Sequence, residues 1–386
     1  MPLLKVDTLI EDARAETGLA DFRGEDYLEP LTRLVSALNS EAKLNEFGLL
    51  RARMTIHSGL CSRLKIADYL KAHPQVFDEQ INKPVFIVGL PRTGTTALHH
   101  MLNQDTDNLT LRLWSAQNPV PPPETASYNT DPRIAMQREG VALTETFLPG
   151  FMATHLLEAE EPDECYMLLN RNFMSVEYSA VFHIPSYADW LYANLCTRDS
   201  YWWHKVQLQL LQFKHHGRWM LKAPFHQLGL KEILKYYPDA IIVQTHRAPM
   251  TIVASGCSFS EILRKSASDH VDREQIGRDW MDMLRVYTRT FEADRLQLEP
   301  QYPNQFLDLY HDEFVADPWP CIDKIYQLVG SPLSTEGKAA MHTWLADHPR
   351  GKHGKHEYEL GDYGISRAQV EDVFADYCER YTLELD

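Results

Sequence analysis

The chain has 386 residues, 44% hydrophobic and 24% charged, and its 54 acidic residues outweigh 38 lysines and arginines to give a net charge of -16. This is the balance of a soluble globular protein and excludes a disordered or fibrous chain. The acidic field also argues against nucleic acid or anionic lipid as a partner, so any anionic ligand needs a locally basic pocket.

From Val6 to about Pro74 apolar residues recur at helical spacing with charges between them, which predicts a helical N-terminal extension over residues 1–80 and no signal peptide. These helices are candidates for a dimer interface or a lid. The pattern switches at "NKPVFIVGL", a β-branched run between a proline and a glycine, which predicts a buried parallel strand opening a main domain at 81–386. "NPVPPPETASYNTDPR", 118–133, reads as an exposed loop. From 173 to 213 aromatic residues are dense, among them Tyr178, Tyr192 and Trp203, which predicts helices whose rings are mostly core, with some lining an acceptor pocket in an insertion at about 115–215.

Two further strand signals follow, "RWMLKAP" from Arg218 and "DAIIVQTHR" from Asp239, with the helical "LGLKEILKYY" between them. Alternating strands and helices predict an α/β fold with a parallel central sheet and helices on both faces. Ligands bind such sheets at the carboxyl ends of strands, so the loops after Val88, Leu221 and Thr245 are expected to converge. No run of about 18 apolar residues predicts a membrane span. The six cysteines, Cys61, Cys165, Cys196, Cys257, Cys321 and Cys378, form no Cys-x-x-Cys pair, which fits a reducing cytoplasm.

The stretch Gly89-Leu-Pro-Arg-Thr-Gly94-Thr95-Thr96 has the frame of a phosphate loop, in which glycines let backbone N–H groups and a helix N-terminus approach an anion. Nucleoside triphosphatases place lysine after the second glycine; Thr95 stands there instead, and the cation is Arg92, inside the loop. That arrangement favours an anion shorter than a triphosphate and argues against a nucleotide kinase or NTPase.

"PRTGTT" resembles the first loop of the sulfotransferases that use 3′-phosphoadenosine 5′-phosphosulfate, commonly Pro-Lys-Ser-Gly-Thr-Thr or Pro-Arg-Ser-Gly-Thr-Thr, with Thr93 as the one departure. The resemblance implies a P-loop-like sulfotransferase fold in which Arg92, Thr93, Gly94, Thr95 and Thr96 wrap the 5′-phosphosulfate. The family also ends a strand with Arg and places Ser eight residues later on the 3′-phosphate, and "THRAPMTIVAS" supplies Arg247 and Ser255. A looser match to the family's basic C-terminal loop, "HPRGKHGKHEY", makes Lys352 a further cofactor residue. By motif order the resemblance covers about 84 to 358 and says little about the acceptor.

Sulfuryl transfer needs a base for the acceptor hydroxyl and positive charge on the leaving phosphate of adenosine 3′,5′-bisphosphate, and no metal is required. Arg92 is the candidate for the leaving group. "LKAPFHQLGL" offers His226 as base with Lys222 assisting or forming an ion pair, although the family's Lys-x-His spacing is shifted here. Glu164, in "EAEEPDECYMLL" at the expected start of a helix, is the alternative base. The histidine pairs at 99/100, 215/216 and 353/356 do not predict a metal site, because neighbouring side chains do not face one point. The expected enzyme transfers sulfate to a hydroxyl of a small apolar or aromatic acceptor; a nucleotide-binding protein without catalysis is the rival from another class.

Overall fold

In the computed structural model, which describes residues 3–154, 157–195, 200–348 and 359–386, the run after Pro84 is a strand, β1 (Val85–Gly89), buried at every position. Its neighbours are β2 (Asn108–Leu109), β3 (Arg218–Lys222), β4 (Ile241–His246) and β5 (Phe306–Tyr310). They form one five-stranded sheet in the order β2-β3-β1-β4-β5, with every pairing parallel. Ile87 is level with Lys222 and Val88 with Gln244, so β1, β3 and β4 end together, as the sequence predicts. The chain leaves β1 toward β2 on one side and reaches β4 and β5 on the other, which puts a topological switch point at the end of β1.

Alternate residues of β1 face different layers. Phe86 and Val88 join a large apolar core with Leu221 and Ile242, while Val85 and Ile87 pack with Met220 and Val243 against Leu98, Met101, Ile322 and Ile325. Both faces are therefore covered by helices, which is why a strand of a parallel sheet reads as an unbroken apolar run.

The N-terminal region is helical: α1 (Val6–Thr17), α2 (Leu28–Ser40) and α3 (Glu46–Ala72). In α2 the buried positions Leu31, Leu34, Val35 and Leu38 make one apolar stripe. Leu60 and Leu64 of α3 belong to the same core as Phe86 and Val88. The side chain of Asn45 caps α3 by accepting from the Gly48 N–H at 2.7 Å, and its backbone N–H donates to Ala267 O at 3.0 Å, at the end of the helix Pro249–Ala267. Among the described residues no helix is long and apolar enough to cross a membrane.

β1 ends on a residue that only glycine suits. Gly89 has φ +146°, and a Cβ there would lie 2.3 Å from Thr245 Oγ1 and 2.8 Å from the Thr245 carbonyl oxygen. Gly89→Ala is expected to lower folding stability by about 2–4 kcal/mol through backbone strain and overpacking. A urea denaturation midpoint equal to that of the unaltered protein would contradict it.

Candidate active site

The loop after β1 turns through Arg92 at φ +73° and Gly94 at φ +87° before α4 (Thr95–Leu102) begins. A left-handed conformation at a non-glycine residue is costly and concentrates at functional loops. Here both sides of Arg92 are tied to the loop and helix that follow β4. Its Nε donates to Ser255 Oγ at 2.9 Å, and its carbonyl oxygen accepts from an Arg247 guanidinium nitrogen at 2.9 Å. Arg92, Arg247 and Ser255, remote in sequence, thus form one connected group at the switch point. Thr93 behaves differently: its hydroxyl donates to Leu90 O at 2.7 Å and lies 2.6 Å from Thr245 Oγ1, in the buried seam between β1 and β4.

Beside this group opens a cavity of about 820 Å3, lined by Arg92, Gly94, Thr95, Thr96, Arg247 and Glu164 among its polar residues. Its apolar wall includes Phe151, Val176, Ile184, Leu263, Trp280 and Met283. Tyr192 also lines it, whereas Tyr178, Tyr187, Tyr201 and Trp203 are buried in the core; the aromatic stretch is helical in three pieces and mostly structural. An Arg264–Asp279 ion pair of 2.6 Å interrupts the apolar wall. Burial works against ionisation of Asp279, but hydrogen bonds from His183 and Gln275 and the charge of Arg264 hold its carboxyl below the ordinary value.

Glu164 meets Lys222 across this cavity's edge. Lys222 Nζ, at the end of β3 and 2% exposed, lies 2.6 Å from Glu164 Oε1 and 3.5 Å from Thr96 Oγ1. The expected helix begins at Tyr166, later than Glu164. The reason is tertiary: the Asp163 N–H donates to Leu111 O at 2.8 Å and the Cys165 N–H to Lys222 O at 3.1 Å, so these backbone groups are engaged by remote segments before the helix begins.

His226 does not join this group. It is fully buried in the turn Pro224–Leu228, edge-on to Phe86, with Nδ1 2.8 Å from the Tyr201 hydroxyl, and the cavity is lined by its neighbours Pro224 and Phe225 but not by His226. Burial, with a smaller contribution from His204, pushes its pKa well below the ordinary histidine range. Lys352 lies outside the described residues.

Arg51 from α3, Tyr166 and Glu177 are among the cavity residues that had no place in the sequence reading. Burial lowers the pKa of Arg51 and raises those of Tyr166 and Glu177. No local pattern marks them, because each reaches the cavity through tertiary packing.

Burial also depresses the rings of His99 and His204, the latter to about 3. A histidine kept neutral when folded but free to protonate near 6.5 when unfolded makes the unfolded state the better proton binder below that pH. Stability is therefore expected to fall from pH 7 to pH 5.5, by roughly 1 kcal/mol for each of His99, His204 and His226. Urea denaturation at the two pH values checks this, and a flat profile above the carboxylate range would refute it.

Comparison with known proteins agrees with this architecture. Residues 84–335 match the model of a family described as the sulfotransferase family. The structure superposes on sulfotransferase STF1 of Mycobacterium tuberculosis H37Rv with TM-score 0.86, 34% identity and coverage of 97% of this chain and 99% of that one. It superposes on sulfotransferase STF9 of Mycobacterium avium with TM-score 0.90 and 28% identity, covering 99% and 97% of the two chains. Among curated proteins, the omega-hydroxy-beta-dihydromenaquinone-9 sulfotransferase Stf3 of Mycobacterium bovis and of M. tuberculosis is 21% identical over 325 residues, 77% of this chain and 74% of its own.

Proposed function

The chain belongs to the sulfotransferase family, and from that premise we propose that it moves the sulfuryl group of 3′-phosphoadenosine 5′-phosphosulfate to a hydroxyl on a largely apolar acceptor, with Glu164 as base. The observation that carries this reading is the meeting of Arg92, Arg247 and Ser255 beside a carboxylate that opens on an apolar cavity.

The donor fits the residues present. An anion with phosphate groups at two positions needs two cationic contacts, and Arg92 and Arg247 stand on adjacent loops joined by a hydrogen bond. The left-handed Gly94 and the start of α4 add backbone N–H groups and the positive end of a helix. When bound, the donor supplies an activated sulfuryl group and a phosphate leaving group. The chain's own residues hold and polarise: Arg92 offsets negative charge developing on the leaving oxygen. Glu164 accepts the acceptor's hydroxyl proton, and Lys222, 2.6 Å from Oε1, holds the carboxylate in position. The apolar wall excludes water, which suppresses hydrolysis of the donor.

The acceptor is proposed to carry its hydroxyl on an apolar body, because the cavity's far walls offer mainly apolar contact. The Stf3 relatives are named for an omega-hydroxylated acceptor, which supports the same class.

The test is a transfer assay with labelled sulfate donor against a panel of hydroxylated apolar compounds, alongside thermal shifts. Adenosine 3′,5′-bisphosphate without magnesium is expected to raise the melting temperature, and ATP with magnesium to leave it unchanged. The reverse pattern would favour a nucleotide kinase, and donor binding without transfer to any acceptor in the panel would favour a nucleotide-binding protein without catalysis.

A further inference from the structure

Next to Glu164 in sequence, Cys165 is close to two other buried side chains from separate segments, and none of the three lines the cavity. The other two are His204 on the helix Ser200–Gln212 and His226. Their ligand atoms, one sulfur and two ring nitrogens, all lie within 4.8 Å of one another, and each residue is 0% exposed. His204 Nδ1 lies 2.7 Å from the Tyr237 hydroxyl and His226 Nδ1 lies 2.8 Å from the Tyr201 hydroxyl. Neither Nε2 has a hydrogen-bond partner among the described residues.

Two buried imidazole nitrogens left without partners in a packed core are anomalous, because such groups are almost always satisfied. With each Nδ1–H donating to a tyrosine oxygen, each Nε2 keeps its lone pair, and one nitrogen of each ring lies within 4.8 Å of the Cys165 sulfur. This is the arrangement by which proteins orient metal-ligating histidines, one ring nitrogen on the ion and the other fixed by an outer partner. The adjacent-histidine argument made from sequence does not reach this group, since its members are 39 or more and 22 residues apart in the chain.

We propose that Cys165, His204 and His226 form a closed three-coordinate site for a soft monovalent metal ion, copper(I) being the physiological candidate. Sulfur and imidazole together suit soft and borderline ions. Charge selects among them. Copper(I) with one thiolate and two neutral rings is a neutral complex, whereas zinc(II) with the same ligands leaves a net positive charge in a water-free core. Zinc would also want a fourth ligand. On binding, the Cys165 S–H bond is replaced by a sulfur–metal bond and its proton leaves to solvent, with no change of oxidation state. Metal–ligand bonds of about 2.0–2.3 Å correspond to trigonal ligand–ligand edges of roughly 3.5–4 Å, to be compared with the 4.8 Å within which these atoms lie. Because Cys165 follows Glu164 and its N–H is bonded to Lys222 O, the ion would pin the segment that carries Glu164 to the end of β3.

The full chain, reduced and anaerobic, is titrated with copper(I) buffered by bicinchoninate, and separately with zinc(II). The expected result is one copper(I) per chain, an X-ray absorption spectrum fitted by one sulfur and two nitrogens, and a higher melting temperature. Cys165→Ser removes the binding, and Tyr201→Phe and Tyr237→Phe weaken it by roughly 10- to 100-fold. The spectrum of the unaltered chain serves where the cysteine variant fails to fold. No stoichiometric copper(I), sulfur-only coordination, affinity unchanged in both tyrosine variants, or preferential zinc(II) binding at these residues would overturn the proposal. A buried water bridging the two rings would then be the better account of their orientation.

Discussion

Glu164→Gln is expected to lower kcat by roughly 10²- to 10⁴-fold, the range typical of losing a general base, while affinity for adenosine 3′,5′-bisphosphate stays near that of the unaltered protein. The argument is geometric before it is electrostatic. The Glu164 carboxylate reaches the cavity, has 21% of its side chain exposed, and is held by Lys222 at 2.6 Å. Glutamine keeps the size and can still accept from the Lys222 ammonium, so the variant removes basicity more than shape. His226 provides the contrast. A proton taken by its ring would be a charge in a dry core, and the burial that depresses its pKa opposes that step. His226→Asn, compared with the unaltered chain when both are free of metal, should therefore cost stability and leave kcat per folded molecule little changed. Single-turnover kinetics on both variants, with folded fractions measured, decide between them. A large kcat loss in the His226 variant with normal turnover in Glu164→Gln would reverse the assignment.

Arg247→Ala is expected to weaken binding of adenosine 3′,5′-bisphosphate by roughly 10- to 150-fold, the equivalent of about 1.5–3 kcal/mol for a hydrogen bond to a charged group. Two effects act together. The variant removes a guanidinium proposed to pair with phosphate, and it frees the Arg92 carbonyl, whose bond at 2.9 Å helps hold the left-handed turn. Ser255→Ala removes only the hydroxyl that accepts from Arg92 Nε at 2.9 Å, so a smaller loss, about 0.5–1.5 kcal/mol, is expected. Calorimetric titration gives both values, and equal affinities for Arg247→Ala and the unaltered protein would remove Arg247 from the donor site.

What the sequence made legible is what depends on local pattern. The strand at 85–89, the glycine-bearing turn and the parallel sheet follow from short-range composition, and all are present. The family resemblance, which singled out Arg247 and Ser255, also led to residues that meet Arg92, because a strand end and the helix after it form one rigid unit. Where the structure places a candidate side chain away from the cavity, burial is the quantity that the sequence does not carry. His226 and Glu164 both follow or face the end of β3, but nothing in "LKAPFHQL" says that the histidine turns into the core beside Phe86. Likewise Thr93 resembles a ligand-binding hydroxyl until its bonds to Leu90 and Thr245 are seen. Arg51 and Glu177, and the trio of Cys165, His204 and His226, are products of long-range packing and leave no periodic trace.

The long helix α3 caps its start on Ala267, whose codon is translated some two hundred residues later. At ~5–20 residues per second, the ribosome delivers this helix tens of seconds before its seat exists. During that interval Leu60 and Leu64 have neither the sheet nor the helix Pro249–Ala267 to cover them. Folding in the cell thus has a built-in waiting period in which the nascent N-terminus is a substrate for chaperones, and expression should be more sensitive to chaperone supply than the stability of the finished molecule suggests.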